Sequence, residues 1–424
     1  MTSWCCKRDT TTASDIRWCS HCLAAGTLRG VTHPVVVLKA GRERSLTRRH
    51  PWIFSGGVDS VEGNPAPGDT VLVRSAERQP LGLGAYSPHS QIRVRMWTFD
   101  HDAAIDDAFV AERIVAAAAR RSTLLGGHTD AARLVFSEAD GVPGLIADRY
   151  ANTVVCQLTT AGAERWREVI ADTLFGLDGV DSVYERSDAE VRTREGLEPA
   201  VGLLRGSEVP GELTIREGRW QYAIDVAGGH KTGFYLDQRN ARAALEPLAP
   251  GVRMLNVFSY TGAFSVIAAG SGAAEVLSID SSGPSLDMAR RNAELNGVDI
   301  GELMEADAFT ALRGLRDRAR SYDLITLDPP KLANNDKQVD KATRAYKDLN
   351  LLAIKLLAPG GKLLTFSCSG AMSAELFQKV VAGAALDAGR TVRIIGRLAQ
   401  ASDHPVPLPF PEAEYLKGLI LQAE

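Results

Sequence analysis

With 424 residues the chain is too long for one ordinary domain, and two or three are expected. Its 45% hydrophobic and 24% charged residues suit a soluble globular protein; no apolar run reaches membrane-spanning length and no signal-peptide pattern appears, so a cytoplasmic location is expected. A net charge of −4 excludes a generally basic surface, so any positive charge for nucleic acid must be local.

Residues 1–34 hold Cys5, Cys6, Cys19 and Cys22 with His21 between them, a loose zinc-like spacing. They lack apolar periodicity and are rich in Thr, Ser and Arg. This favours a disordered extension, or upstream sequence from a misassigned start, over a metal site, and no metal is expected. From Val35 the character changes. VVVLKA is strand-like, and GRERSLTRRHPWIFSG follows with Lys39, Arg42, Arg44, Arg48 and Arg49 against one acid, Glu43. Trp52 and Phe54 come next. Basic residues beside aromatics offer phosphate contacts and a stacking surface for RNA. A solvated helix packed on Leu46, Trp52 and Phe54 is the plainer alternative. TVLVRS, PLGLGAY and QIRVRMW then predict a small β-barrel-like module ending near Phe99, with Arg93 and Arg95 on one face adding positive charge.

Residues 105–125 carry helical spacing. The stretch RLVFSEADGVPGLIADRYANTVVCQLTT predicts a hairpin or meander, AGAERWREVIADTLFGL one amphipathic helix, and DSVYERSD another strand. Cys156, inside TVVCQL, reads as a buried structural thiol. Residues 191–218 look like a connector, so the expected boundaries are 35–104, 105–218 and 219–424. From Trp220 an apolar strand enters the Gly-rich stretch GHKTGFYLDQR. After Met254, strands and helices alternate steadily, predicting a doubly wound α/β sheet of seven strands that ends in an antiparallel hairpin. Asn296-Gly297 and Pro359-Gly360-Gly361 are expected helix stops.

The unit RMLNVFSYTGAFSVIAAGSGAAEVLSIDSS has the order strand, turn, helix, strand, acid of half a dinucleotide-binding fold. Its turn, Ser259-Tyr260-Thr261-Gly262, lacks the G-x-G-x-x-G spacing needed to approach a pyrophosphate. That disfavours NAD and favours an adenosine ligand without phosphates, S-adenosylmethionine, with Asp280 placed to accept ribose hydroxyls. Ligands of such sheets bind at the carboxyl ends of strands. The fourth strand ends in Asp328-Pro329-Pro330-Lys331 and the fifth in Cys368. A thiolate adding to carbon 6 of a cytosine makes carbon 5 nucleophilic toward a sulfonium methyl, and an acid near the ring nitrogen stabilises the developing charge. Cys368 is the candidate nucleophile and Asp328 the candidate acid. Lys331 is a candidate for phosphate binding or for lowering the thiol pKa. The Asp-Pro-Pro loop also suits methylation of exocyclic amino groups, although an aromatic residue is wanted where Lys331 stands. A non-catalytic RNA-binding protein is the third alternative.

In order along the chain, GRERSLTRRHPWIFSG, GHKTGFYLDQR, LNVFSYTGAF, LDPPKL and TFSCSGAM resemble the ribosomal RNA large subunit methyltransferase I family from about Val35 onward. The resemblance implies a PUA domain, a small central α+β domain and a Rossmann-like class I methyltransferase domain. It implies 5-methylation of a cytosine in 23S rRNA, with Cys368 as nucleophile. Phe234, Asn256, Phe258, Gly262, Asp280, Asp307 and Asp328 are then expected to line the cofactor and base pocket. It also moves Lys39, Arg42, Arg44, Arg48 and Arg49 to RNA contacts, and a homodimer is compatible with it. Many RNA cytosine-5 methyltransferases carry a second cysteine after the motif's prolines, where this chain has Lys331.

Overall fold

The structure, a computed structural model, describes residues 33–229, 232–333 and 338–424. All but His33 and Pro34 of the expected extension, including its cysteines and His21, lie outside the described residues, as does the His230-Lys231 pair of the Gly-rich stretch.

Six short strands, Val35–Leu38, Trp52–Phe54, Val58–Glu62, Thr70–Arg74, Pro80–Tyr86 and Ile92–Thr98, form the N-terminal sheet. Their alternating apolar residues, among them Val36, Val71, Val73 and Val94, close one small core. The basic stretch contributes only a one-turn helix, Arg44–Thr47, held by buried Leu46. Lys39, Arg42, Arg44, Arg48 and Arg49 are therefore all exposed. Arg95 does not add to this charge as expected. It is buried against Glu138 and Glu195, and Arg93 donates to the Pro88 carbonyl. Burial of a charge requires partners such as Glu138 and Glu195, so strand period alone misplaces Arg95.

The central domain is larger than the sequence implies. Strands Ala131–Phe136, Leu145–Tyr150, Thr153–Leu158, Ser182–Ser187 and Ala200–Gly206 form one five-stranded sheet. The last lies in the stretch expected to be a connector, where Gly and Arg obscure the alternation. The helix expected over 105–125 is two, Asp107–Ala119 and Ser122–Leu125, because Arg121 between them turns inward onto Asp140. The helix expected from Ala161 likewise breaks at Trp166, between Ala161–Arg165 and Arg167–Phe175. Strands Leu213–Glu217 and Trp220–Ile224 pair as a hairpin, so the expected boundary at 218/219 falls in its turn. The hairpin's edge is covered by side-chain amides. Asn292 accepts from Ala223 N at 2.7 Å, and Asn296 bonds both the N–H and the carbonyl of Gln221.

The third domain has seven strands: β1 (Arg253–Val257), β2 (Glu275–Asp280), β3 (Glu302–Glu305), β4 (Tyr322–Leu327), β5 (Leu357–Ser367), β6 (Val392–Ala399) and β7 (Lys417–Ala423). They lie in the order β3-β2-β1-β4-β5-β7-β6. The first five are parallel, and β7 inserts antiparallel between β5 and β6, forming the expected edge hairpin. Helices α1 (Ala263–Gly270), α2 (Gly283–Asn296), α3 (Ala308–Asp317), α4 (Val339–Lys355) and α5 (Ala374–Asp387) make the crossovers. Asn296-Gly297 ends α2 as expected, with Gly297 left-handed at φ 62°. Pro359-Gly360-Gly361 does not end α4, which stops at Lys355. It lies inside β5, where φ of 73° at Gly360 accompanies a shift in the pairing with β4. The cores on the two sides of the sheet differ in reach. One is built within the third domain from α3, α4 and α5, whereas the other also includes Ala131, Tyr150 and Val155 of the central sheet.

Charge fixes this junction between domains. The Arg242 guanidinium, 2% exposed, makes two hydrogen bonds of 2.6 and 2.7 Å to Glu217 and also donates to Tyr235 O. Arg239 pairs with Asp403 at 3.0 Å and donates to Ala131 O. Burial opposes ionisation of Asp403, but His404, Arg239 and the Arg133 N–H outweigh it and hold the carboxyl well below its usual range. Glu217→Ala leaves the Arg242 charge buried without its carboxylate. Urea unfolding should show a loss of about 3–5 kcal/mol; a loss below about 1 kcal/mol would show that water or a neighbour replaces the pair.

Candidate active site

The turn after β1 is backbone-strained. Phe258 and Tyr260 adopt φ of 61° and 49°, and Gly262 follows at 73°. Non-glycine residues in that region cost about 1–3 kcal/mol each and need fixing from outside. Asp280, at the end of β2, supplies it: its carboxylate accepts Tyr260 N at 2.8 Å and Ser282 N at 3.0 Å. A side chain at Gly262 would meet the Ala289 Cβ of α2 at 2.7 Å, so glycine is required there by both conformation and space.

Over this turn lies the segment Thr232–Gln238. Thr232 donates to Asp148 and shares a bond with Tyr150 OH, which also accepts Phe234 N. Phe234 is clamped between stacked Tyr222 and the Arg242 guanidinium. Tyr260 OH donates to Gly233 O at 3.0 Å, closing the segment onto the strained turn, and Tyr235 meets Tyr260 edge-on. Burial raises the Tyr235 phenol's pKa, leaving it a neutral donor at physiological pH. Gln238 Nε2 donates to Asp328 Oδ2 at 2.7 Å, and Asp237 accepts Tyr415 OH at 2.6 Å.

The ends of β4 and β5 form the opposite wall. Cys368 Sγ lies 3.9 Å from Pro329 O and is half-buried. Ser369 Oγ accepts Ala333 N and bonds Tyr346 OH, tying the thiol turn to the Asp-Pro-Pro loop and to α4. Together these walls enclose a cavity of about 350 Å³, lined among others by Phe234, Phe258, Tyr260, Asp280, Asp328 and Cys368. This is the size of a small-molecule site.

Of the residues expected in the pocket, Thr261 and Lys331 also line it. Three do not. Asn256 is buried behind the turn, donating to Ser265 Oγ and accepting Thr326 Oγ1, so it braces β1 from within the sheet. Gly262 shapes the entry to α1. Asp307 is exposed and caps α3 by accepting Thr310 N. Trp52, expected to offer a stacking face, donates to Glu138 and packs on Phe410, leaving Phe54 as the exposed aromatic. Sequence reasoning missed Tyr235, Asp237 and Gln238, although all lie in the long GHKTGFYLDQR string.

S-adenosylmethionine fits this donor set. Among the described residues, Gln238 Oε1, Ser259 Oγ and Thr261 Oγ1 are buried without a hydrogen-bond partner, and all three residues line the cavity. Such atoms call for a polar ligand. Aromatic rings alongside carboxylates suit an adenosine and a sulfonium. Replacing Gly262 by alanine should cost about 1–2 kcal/mol from backbone conformation alone. It should lower the melting temperature and weaken S-adenosylhomocysteine at least tenfold by calorimetric titration; unchanged binding would free the turn from the cofactor.

Comparison with known proteins agrees with this geometry. A PUA-like domain model matches residues 36–99, and an S-adenosylmethionine-dependent methyltransferase model matches residues 193–419. Ribosomal RNA large subunit methyltransferase I of Shewanella amazonensis is 51% identical over 389 residues, covering 91% of this chain and 98% of that protein. The protein of the same name from Aeromonas salmonicida is 48% identical over 391 residues, covering 92% and 99%. A solved structure described as a SAM-dependent methyltransferase from Streptococcus mutans shares the fold with a TM-score of 0.80 at 22% identity, covering 92% of this chain and 99% of its own. With half of its residues shared across nearly its full described length, the chain belongs to the ribosomal RNA large subunit methyltransferase I family, whose cofactor is S-adenosylmethionine.

Proposed function

We propose that the protein methylates carbon 5 of a cytosine in large-subunit 23S rRNA through a covalent adduct at Cys368. The observation that carries this is the meeting of Cys368 and Asp328, at the ends of adjacent parallel strands, in the cavity of the strained cofactor turn. Bound S-adenosylmethionine supplies the electrophilic methyl. The Cys368 thiolate adds to carbon 6 of the base, and carbon 5 then takes the methyl group. Asp328, steadied by Gln238, shares a proton with the ring nitrogen where negative charge develops. Loss of the carbon 5 proton to a base breaks the sulfur–carbon bond and returns the thiolate.

In this proposal Phe234, Phe258, Tyr260, Thr261 and Asp280 contact the cofactor. Asp280 still has lone pairs for ribose hydroxyls beyond the two N–H groups it accepts. Asn256 and Gly262 shape that contact from behind, and Asp307 sits at the end of β3, outside the cavity wall. Lys39, Arg42, Arg44, Arg48 and Arg49, with exposed Phe54, form the RNA-facing surface, and Lys331 meets phosphate at the cavity rim. The target base must be unpaired or flipped to reach Cys368.

The test is nucleoside mass analysis of large-subunit rRNA incubated with labelled S-adenosylmethionine and either wild type or Cys368→Ala. The expected result is label in 5-methylcytidine with wild type, lost in the variant, while cofactor binding is retained. Label in a methylated amino group, or transfer by the variant, would move the chemistry to Asp328. RNA binding with no transfer at all would leave only a binding role.

A further inference from the structure

None of the described residues lining the cavity comes from the central sheet, yet that sheet holds the roof segment, Thr232–Gln238, at both ends. At the front, a directed chain of hydrogen bonds runs inward from Phe234. The Phe234 N–H donates to Tyr150 Oη at 3.1 Å, and that hydroxyl meets Thr232 Oγ1 at 2.9 Å, with Phe234 O 3.3 Å away. Thr232 gives its own hydrogen to Asp148 Oδ2 at 2.6 Å, so Tyr150 is the donor between the two hydroxyls. Arg133 closes the chain with hydrogen bonds of 2.8 and 2.7 Å to Asp148. Tyr150 and Asp148, both in strand Leu145–Tyr150, are fully buried, as is Thr232. The Tyr150 ring also lies beside Gly233, where a Cβ would stand 3.7 Å from Tyr150 Cε2 and 2.6 Å from Ile224 Cγ2. Gly233 has a φ of 135°, and its carbonyl accepts Tyr260 OH of the strained turn. At the far end Arg239 donates to Ala131 O and pairs with Asp403, which accepts Arg133 N.

We propose that Tyr150 is a positioning residue for the cofactor, and that through it, Thr232 and Asp148 the central domain holds the Phe234 wall in place for S-adenosylmethionine. The inference rests on the reading of Phe234 as a cofactor contact and not on the cytosine chemistry. Tyr150 does not line the cavity, so it acts through the roof backbone and touches neither substrate nor reacting atoms. Burial and the Asp148 charge raise its phenol's pKa, so it stays a neutral hydroxyl and takes no part as acid or base. A buried polar chain in which every member is satisfied admits few alternative arrangements. Removing the Tyr150 hydroxyl would leave the buried Phe234 N–H without the acceptor it has here. A buried donor in that state is relieved by moving toward water, which would draw Phe234 off the cavity wall. Arg133 couples the two anchors, since its guanidinium grips Asp148 at the front and its N–H reaches Asp403 at the rear. The central sheet, which contributes no reacting group, thereby acquires a part in methyl transfer as the template on which the roof is set.

The test is calorimetric titration of S-adenosylhomocysteine into the full chain, with steady-state methyl transfer to large-subunit rRNA alongside. Tyr150→Phe keeps the ring beside Gly233 and removes the hydroxyl. It should weaken S-adenosylhomocysteine about tenfold and raise KM for S-adenosylmethionine in step, with kcat at saturating cofactor within about threefold of wild type. A merely structural role would lower the melting temperature without this split between KM and kcat. Thr232→Val breaks the same chain from the roof side and should behave alike, whereas Thr232→Ser keeps the hydroxyl and should bind within about twofold of wild type. Binding within about twofold of wild type by a folded Tyr150→Phe protein overturns the proposal. Should that variant fail to fold, equal binding by Thr232→Val and Thr232→Ser overturns it alone. Unchanged binding by Phe234→Ala would instead overturn the reading of Phe234 as a cofactor contact, so the two failures are distinguishable.

Discussion

The arrangement of the site depends on two guanidinium groups, Arg242 buried and Arg239 half-buried, each paired with a carboxylate. Arg239 follows directly on the segment that roofs the cavity and Arg242 stands one helical turn further, and their partners come from opposite sides. Glu217 belongs to the hairpin before the segment, and Asp403 to the loop between β6 and β7. A pair of this kind adds little net stability over an apolar contact of the same shape, but it tolerates few alternative geometries. Here that selectivity fixes the height of Phe234, Tyr235 and Gln238 above the strand ends. Gln238 in turn donates to Asp328 at the end of β4 and so orients it. Positioning thus passes from a domain junction to an acid in the cavity through one short segment.

Much of this was legible in the sequence. The seven strands, the antiparallel hairpin, the acid after the second strand and the thiol after the fifth all follow from apolar runs and their endings, because a parallel sheet must bury its strands and expose their ends. What escaped was non-local. Arg95 alternates correctly for a surface position, and only a carboxylate contributed by the central domain draws it inward. Arg121 breaks a helix whose spacing is unbroken, because Asp140 lies across the fold from it. Pro359-Gly360-Gly361 has the composition of a helix stop, but the neighbouring strand accepts it as an irregularity. Asn256 was placed in the pocket on resemblance, yet its amide is spent between β1, α1 and β4. In each case the local signal is sound and a partner distant in sequence decides the outcome.

The two described cysteines show how position governs environment when the residue type is constant. Cys156 lies mid-strand in the central sheet, completely buried, and Glu185 on the adjacent strand adds negative charge to the cost of ionising it. Burial and like charge act together, so this thiol stays protonated and inert. Cys368 lies one residue past the end of β5, where the sheet no longer covers it, beside a cavity. Cys156 sits inside the continuous buried run of its strand; Cys368 sits where the apolar run of β5 gives way to serine and glycine. The boundary between a packed thiol and one that meets the cavity is the end of the strand, which sequence marks by the point at which apolar residues stop.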